Sequence, residues 1–315
     1  MSVVRESHII TPDGVTLFIR DWLIDASTPV SGDAHIQRSI VIMHGLGEHC
    51  GRYHHIATFL NSCGLSVRTY DHRGHGQSGG SRGDVPDPLA LVRDAELIIR
   101  QFAQSGHARP LLFGHSMGGL FAAQLAAILS TRLMAASAAN SATGLTENAL
   151  PVLQLGGLIL SSPSLGLHLS WPEMLALSIM SAIAPHFGVP TRFNARFLAR
   201  PTISPEKKIE GQTDPLLHDK ISASLVKSML SAIDYTQNHA PILTLPILLL
   251  VSENDQLVDA KGSHMFIEHC PPNLCTAHFY HDIYHEVFNE AESSRVFSDL
   301  KNWLAARHFI TDAPG

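Results

Sequence analysis

A chain of 315 residues, 45% of them hydrophobic, is long enough to bury a substantial core, and it predicts one large α/β domain or a domain with an insertion. Twenty-two basic and 28 acidic residues give a net charge of −6 without any basic run, which argues against nucleic acid as a partner. The four cysteines lack CxxC spacing, so we expect reduced thiols, with disulfide pairing of Cys270 and Cys275 as the alternative.

The sequence favours a cytoplasmic protein without a signal peptide or a transmembrane helix. The polar residues Arg5, Glu6 and His8 stand where a signal peptide would carry a basic and then an apolar segment. Residues 148–172 contain no charged side chain, but several Pro and Gly residues divide them. We interpret this stretch as a buried strand followed by an apolar loop rather than a membrane span.

The first half of the sequence alternates between short apolar runs and helix-like segments. The predicted elements are a hairpin of residues 3–10 and 15–23, strands at 39–43, 65–70 and 111–115, and helices at 52–62, 86–104 and 120–127. This alternation predicts a mostly parallel sheet with helices on both faces. Functional groups are then expected on the loops at the carboxyl ends of the strands.

The second half contains a long interruption between two predicted strands, at 157–163 and 245–251. Compact sheets use short connections, so an interval of this length predicts a separate unit over the strand ends. A helix at 260–269, a strand at 275–280 and a final helix follow. The predicted division is an α/β core of residues 1–162 and 242–315, an inserted helical cap of residues 163–241, and a mobile insertion or extended helix end at 134–150.

A Gly-x-Ser-x-Gly pattern follows the predicted strand at 111–115 and precedes a helix. In this context the pattern predicts a nucleophile elbow with Ser116 at the apex of a sharp turn. Gly114 and Gly118 lack the Cβ atoms that would collide where strand and helix approach each other. A chance match is the alternative, and the strand before and helix after the pattern argue against it.

A serine nucleophile needs an imidazole to accept its proton and a carboxylate to orient that imidazole. Asp255 follows a buried strand and is the predicted acid, with Asp259 as the runner-up, better placed as a helix N-cap, and Glu253 third. Among 20 histidines, His285 follows the last predicted strand and is the predicted base, with His281 as its main rival. His115, although next to Ser116, is interpreted as a packing or hydrogen-bonding residue.

Acyl transfer also needs hydrogen-bond donors for the developing oxyanion, and backbone N–H groups are already oriented for this purpose. Met117 is predicted to supply one donor from the start of the elbow helix. Leu46, which follows His44-Gly45, is placed to supply the other. The glycine-dense loop 71–80 lacks the Gly-Lys-Ser/Thr ending of a phosphate loop, so we interpret it as a structural turn.

Together these motifs resemble the monoacylglycerol lipase and lysophospholipase group of α/β-hydrolases over nearly the whole chain. The residues that carry the resemblance are His44-Gly45-Leu46-Gly47-Glu48-His49-x-x-Arg52-Tyr53, Asp71-His72-Arg73-Gly74-His75-Gly76-Gln77-Ser78, Gly114-His115-Ser116-Met117-Gly118-Gly119, Asp255 and Tyr284-His285-Glu286. Relative to the family pattern, residues 134–150 look inserted. The resemblance implies an α/β-hydrolase fold with Ser116, Asp255 and His285 as catalytic triad and Leu46 and Met117 as oxyanion donors.

The resemblance further implies a serine hydrolase that cleaves single-chain lipid esters, monoacylglycerols or lysophospholipids, without a metal or other cofactor. The cap around Trp171, Leu175 and Ile179 is predicted to hold the acyl chain and to contact a membrane surface, with a plain buried cap helix as the alternative. A general carboxylesterase and a lipid acyltransferase are alternatives within the class. A non-catalytic ligand-binding receptor on the same fold is the alternative from another class.

Overall fold

A single eight-stranded sheet organises the part of the chain that the computed structural model describes, residues 2–24, 38–143, 152–167, 170–191, 209 and 211–310. Its strands are β1 (Ser2–Ile10), β2 (Thr16–Ile24), β3 (Ser39–Met43), β4 (Ser66–Tyr70), β5 (Leu111–His115), β6 (Leu158–Ser161), β9 (Ile247–Ser252) and β10 (Cys275–Tyr280). A separate antiparallel pair consists of β7 (Gly188–Pro190) and β8 (Lys220–Ser222).

The order of strands across the sheet is β1-β2-β4-β3-β5-β6-β9-β10. The β1–β2 hairpin is antiparallel and joins β4 in antiparallel register, whereas every pairing from β4 to β10 is parallel. The carboxyl ends of β3, β5, β9 and β10 therefore lie along one edge, as the alternation in the sequence predicts. Loops from distant parts of the chain meet there.

The helices cover both faces of the sheet. They are α1 (His54–Ser62), α2 (Ala90–Gln104), α3 (Met117–Thr143), α4 (Trp171–Ile183), α5 (Ala223–His239), α6 (Ala260–His269) and α7 (Ser293–Ala306), with 3₁₀ turns at Cys50–Tyr53 and Ala240–Ile242. In β3, Val41 and Met43 pack into the core on one face, and Ile40 and Ile42 pack into the core on the other. Burial on both faces explains why this strand is a continuous apolar run.

The apolar helix α3 lies at the centre of one of these two cores. By length and composition alone, its segment Met117–Ala139 could cross a membrane. However, 61% of the most apolar 18-residue stretch of this segment is buried inside the fold. Phe121, Leu125 and Leu129 are buried side chains of this core. The composition of α3 is thus that of a buried core helix.

Helix α3 also includes part of the predicted insertion. Residues 134–143 form its last turns, which corresponds to the extended helix end among the two alternatives, and residues 144–150 lie outside the described part of the chain. The structure describes part of the predicted cap of residues 163–241. The last helix in this range, α5, belongs to the core rather than to a separate unit. Helix α5 contributes Leu225 and Met229 to the same core as α3, so this part of the predicted cap packs against α3.

Cys50, Cys63, Cys270 and Cys275 are all present as free thiols. Cys50 and Cys270 are buried, whereas Cys63 and Cys275 are partly exposed. The pairing of Cys270 with Cys275, the alternative left open by the sequence, is not formed in this structure.

Candidate active site

The turn between β5 and α3 places Ser116 in a strained backbone conformation. Its φ is 54°, in the left-handed region that non-glycine residues rarely adopt. A Cβ on Gly118 would lie 2.3 Å from the Met43 carbonyl oxygen, and one on Gly114 would lie 2.5 Å from the Gly118 carbonyl oxygen. Only glycine fits at these two positions, because the atoms in the way belong to the backbone.

Three side chains predicted from separate segments meet at this turn. His285 Nε2 lies 2.9 Å from Ser116 Oγ, and His285 Nδ1 lies 2.5 Å from Asp255 Oδ2. Ser116 follows β5, Asp255 follows β9 and His285 follows β10, so the shared edge of the sheet brings them together. The other carboxylate oxygen of Asp255 accepts hydrogen bonds from the backbone N–H groups of Leu257 and Val258, at 2.8 and 3.2 Å, which fixes its orientation.

His285 and Asp255 shift each other's pKa. Burial disfavours the charged form of His285, but the Asp255 carboxylate outweighs burial, so the pKa of His285 is raised above its usual range. Burial likewise disfavours the Asp255 carboxylate, but His285 and two backbone N–H groups lower the pKa of Asp255. The arrangement stabilises an imidazolium, which is the form that arises when His285 accepts a proton from Ser116.

The rival residues occupy other places. Asp259 caps helix α6 by accepting from the Lys261 N–H at 3.0 Å, and Glu253 lies 2.7 Å from His264 Nε2. His281 has an exposed side chain, and its carbonyl oxygen accepts from Asn254. His115 Nδ1 donates to the carbonyl or hydroxyl oxygen of Ser161, at 3.1 and 3.0 Å, in agreement with a hydrogen-bonding role.

We call residues His44–His49 the oxyanion loop. Its Leu46 lines the same cavity as Ser116 and Met117, and a Cβ on Gly45 would lie 3.3 Å from Ser116 Cβ. Both predicted oxyanion donors therefore belong to residues that line the cavity onto which Ser116 opens. Whether their N–H groups act as donors stays a prediction.

The oxyanion loop is fixed to the segment before β8. The Gly47 carbonyl oxygen accepts from the His218 N–H at 3.0 Å, and a Cβ on Gly47 would lie 2.2 Å from the His218 carbonyl oxygen. His49 Nε2 lies 2.7 Å from Asp214 Oδ2, while His49 Nδ1 accepts from the Gly51 N–H at 3.2 Å. Residues 214–218 and the oxyanion loop thus fit together through two hydrogen bonds and one close backbone contact.

Two buried histidines, His44 in the oxyanion loop and His72 in the loop 71–80, connect these two loops. His44 Nε2 accepts from the His72 N–H at 2.9 Å, so its proton is on Nδ1, which donates to the Gly45 carbonyl oxygen at 2.8 Å. Burial lowers the pKa of His44 well below its usual value and that of His72 to about 4. Both rings are therefore neutral at physiological pH, and the loop 71–80, interpreted from the sequence as a structural turn, holds His44 in place through the His72 N–H.

A cavity of about 920 Å³ opens onto Ser116. Its apolar wall includes Leu167, Ala176, Leu177, Met180, Val189, Val226 and Met229. Polar side chains of Glu173, Glu253, Gln256, Lys261 and His264 line the remainder. A cavity with one apolar wall and one polar region suits a molecule with a hydrocarbon chain and a polar head group.

The predicted substrate contacts on α4 need a correction. Trp171, Leu175 and Ile179 are 76%, 47% and 49% exposed, whereas Ala176, Leu177 and Met180 of the same helix line the cavity. Helix α4 is apolar around most of its circumference, so helical periodicity could not identify the face that turns inward.

Further polar residues near the site were not assigned a role from the sequence. Ser164 Oγ lies 3.5 Å from Ser116 Oγ. Arg52 donates from one terminal nitrogen to both carboxylate oxygens of Glu286, at 3.0 and 2.9 Å. Arg52 and Glu286 stand in the family motifs, but 234 positions separate them, and no sequence pattern joins them.

Comparison with known proteins gives a consistent picture. The chain is 29% identical to a monoglyceride lipase from Rattus norvegicus over 310 residues, which covers 97% of this chain and 92% of the relative. It is 28% identical to a monoacylglycerol lipase from Mycolicibacterium smegmatis over 274 residues, covering 85% and 88%. The crystal structure of a soluble variant of monoglyceride lipase from Saccharomyces cerevisiae superposes with a TM-score of 0.74 at 20% identity, covering 98% and 96%.

These likenesses extend along nearly the whole chain, and the solved structure confirms the predicted α/β-hydrolase fold. A family model described as "Serine aminopeptidase, S33" matches residues 34–292, which include the oxyanion loop, the elbow and the loops that carry Asp255 and His285. The chain therefore belongs to the S33 serine aminopeptidase family of α/β-hydrolases.

Proposed function

We propose that this protein is a serine hydrolase that cleaves carboxylic esters of single-chain lipids, monoacylglycerols or lysophospholipids, through an acyl-Ser116 intermediate. The observation that carries the proposal is the hydrogen-bonded series Ser116, His285 and Asp255 at the wall of a large cavity that is partly apolar. The names of the rat and mycobacterial relatives support the choice of substrate.

In the proposed reaction Ser116 Oγ attacks the ester carbonyl carbon while His285 Nε2 accepts the hydroxyl proton. The carbonyl oxygen becomes an oxyanion that accepts from the Leu46 and Met117 N–H groups, and each such donor contributes roughly 3 to 4 kcal/mol to lowering the barrier. The imidazolium, stabilised by Asp255, donates its proton to the leaving alcohol. Water then attacks the acyl-serine with His285 as base, which releases the fatty acid and restores Ser116.

We expect long-chain substrates to be preferred over short ones. Each methylene buried in the apolar part of the cavity contributes about 0.8 kcal/mol, roughly fourfold in binding, until the cavity is filled. In a panel of p-nitrophenyl esters, monoacylglycerols and lysophospholipids, kcat/KM should therefore rise steeply with acyl length. Turnover of short soluble esters with no turnover of any long-chain lipid would contradict the lipid assignment and leave a general carboxylesterase.

We further propose that the outer face of α4 contacts a membrane surface. Trp171, Ile179 and Ile183 are 76%, 49% and 78% exposed, on the same helix whose Ala176, Leu177 and Met180 line the cavity. Exposed apolar side chains of this size bind to the interface of a bilayer. A substrate that resides in a membrane would then reach the cavity without crossing water.

The Trp171→Ser/Ile183→Ser double variant should bind vesicles about tenfold or more weakly, because two large apolar side chains no longer enter the interface. The measurement is co-sedimentation with phosphatidylcholine and phosphatidylglycerol vesicles. Ile10→Ser is the matched control, since Ile10 is 68% exposed on β1. Equal binding by the double variant and the control would show that α4 does not dock to lipid.

We propose a cytoplasmic location for the protein. The four free thiols, two of them partly exposed, support a reducing compartment.

A further inference from the structure

A buried carboxylate that the proposed reaction does not use lies directly behind Ser116. Glu48 is 8% exposed, and its Oε1 lies 2.5 Å from the position that a Cβ on Gly45 would occupy. Gly45 in turn is the residue of the oxyanion loop that faces Ser116 Cβ. The Glu48 side chain therefore fills the space against Gly45, one residue before Leu46.

Arg52 connects this carboxylate with the loop that carries His285. One terminal nitrogen of Arg52 lies 3.9 Å from Glu48 Oε2, and the other donates to Glu286 as described above. Glu286 directly follows His285 and also accepts from the Asn289 side chain at 2.7 Å. Glu48 and Glu286 are buried and the Arg52 side chain is only 20% exposed, so their charges are poorly screened by solvent.

His115 completes the surroundings of Glu48. Its Nε2 lies 3.8 Å from Glu48 Oε1, and its ring centre lies 4.9 Å from that of His285. Burial and the neighbouring His285 lower the pKa of His115 well below its usual value, so His115 is neutral and adds no charge. The charged and titratable groups that face Glu48 are thus Arg52, Tyr53, His115, His285 and Glu286.

We propose that Glu48 is a positioning residue that holds Gly45 and Leu46 behind Ser116 and, through Arg52 and Glu286, ties the oxyanion loop to the His285 loop. This inference rests on the proposed function, because it assigns Glu48 to the placement of groups used in that reaction. Glu48 contacts neither the substrate nor the reacting atoms. Its effect passes through Leu46 and His285.

The charge of Glu48 gives this role a measurable signature. Burial, assisted by the neighbouring Glu286 carboxylate and opposed by Arg52, raises the pKa of Glu48 to about 7. A negative Glu48 also helps to raise the pKa of His285. Glu48 and His285 therefore titrate as a coupled pair. Because protonation of one disfavours protonation of the other, the acid limb of the kcat/KM profile should extend over a broad pH range.

Glu48→Gln keeps the shape of the side chain and removes its charge. We expect the acid limb of kcat/KM to narrow to a single titration and to move to lower pH by about half a unit, because His285 loses a neighbouring negative charge. On the alkaline plateau of each pH profile, where kcat no longer changes with pH, kcat should stay within about threefold of the wild-type value. Glu48→Ala, which leaves Gly45 unsupported, should lower kcat about tenfold or more with KM little changed.

Glu96→Gln is the matched control, because Glu96 is a carboxylate held by two arginines, Arg100 and Arg132, far from the site. It should leave the acid limb unmoved. Thermal unfolding of each variant identifies misfolding, and if Glu48→Ala does not fold, Glu48→Gln decides. If the acid limb of Glu48→Gln is the same as that of the wild-type protein, the inference about Glu48 is wrong, but the proposed function is unaffected. If the wild-type protein does not hydrolyse esters at all, the proposed function itself is wrong.

Discussion

Replacing Ser116 by alanine should lower ester hydrolysis by about 10⁴-fold or more, because it removes the hydroxyl that is hydrogen-bonded to His285 Nε2. The loss should appear in kcat rather than in KM, since alanine leaves the cavity that binds the acyl chain in place. Initial rates with a long-chain monoacylglycerol measure it directly. Labelling by a fluorophosphonate should disappear in the same variant.

Ser298→Ala is the control for this substitution. Ser298 lies on α7 with an exposed side chain that donates to the Ser294 carbonyl oxygen. It should keep wild-type kcat and label as strongly as the wild type. Persistent labelling of Ser116→Ala would place the nucleophile elsewhere and leave the elbow without its proposed role.

A second large effect is expected for Asp255→Asn, which should lower kcat by roughly 10³- to 10⁴-fold. An asparagine that keeps its two backbone hydrogen bonds from Leu257 and Val258 presents an NH₂ group to His285 Nδ1. This NH₂ group favours the tautomer in which Nε2 carries the proton, so Nε2 no longer accepts from Ser116. The remaining pH dependence should also move to lower pH, because the pKa of His285 falls without its main negative partner.

The measurement for Asp255→Asn is kcat at saturating substrate between pH 5 and pH 9. Asp282→Asn is its matched control, since Asp282 precedes His285 by three residues but forms an exposed ion pair with Arg295. That control should change kcat by less than about twofold. If Asp255→Asn retained wild-type kcat, the carboxylate would not orient His285, and the base would need another partner.

The loops that carry the proposed catalytic residues were predictable from the sequence, because a parallel sheet determines where they lie. Ser116, Asp255 and His285 each follow an apolar run, and runs that form parallel strands end at one edge. Local chemistry predicted the turn equally well, since a Cβ on Gly114 or Gly118 would meet backbone atoms. Both predictions, the elbow turn and the shared edge of the site residues, depend only on a few neighbouring residues and on the topology of the sheet.

Other features depended on packing that no local pattern reveals. The inward face of α4 could not be chosen, because apolar residues occupy both of its faces. The assignment of α5 to the cap missed Leu225 and Met229, whose burial against α3 depends on how distant segments pack. The link from Arg52 to Glu286 likewise joins two loops that only the folded sheet brings together.

The close fit between Gly47 and His218 constrains how the protein can admit a substrate. Any displacement of residues 214–218 by an ångström either breaks the His49–Asp214 contact or carries Gly47, and with it the neighbouring Leu46 amide, in the same direction. The position of residues 214–218 and that of the Leu46 amide are therefore coupled. If Leu46 donates to the oxyanion as proposed, a substrate that displaces this segment should react more slowly even when it binds well.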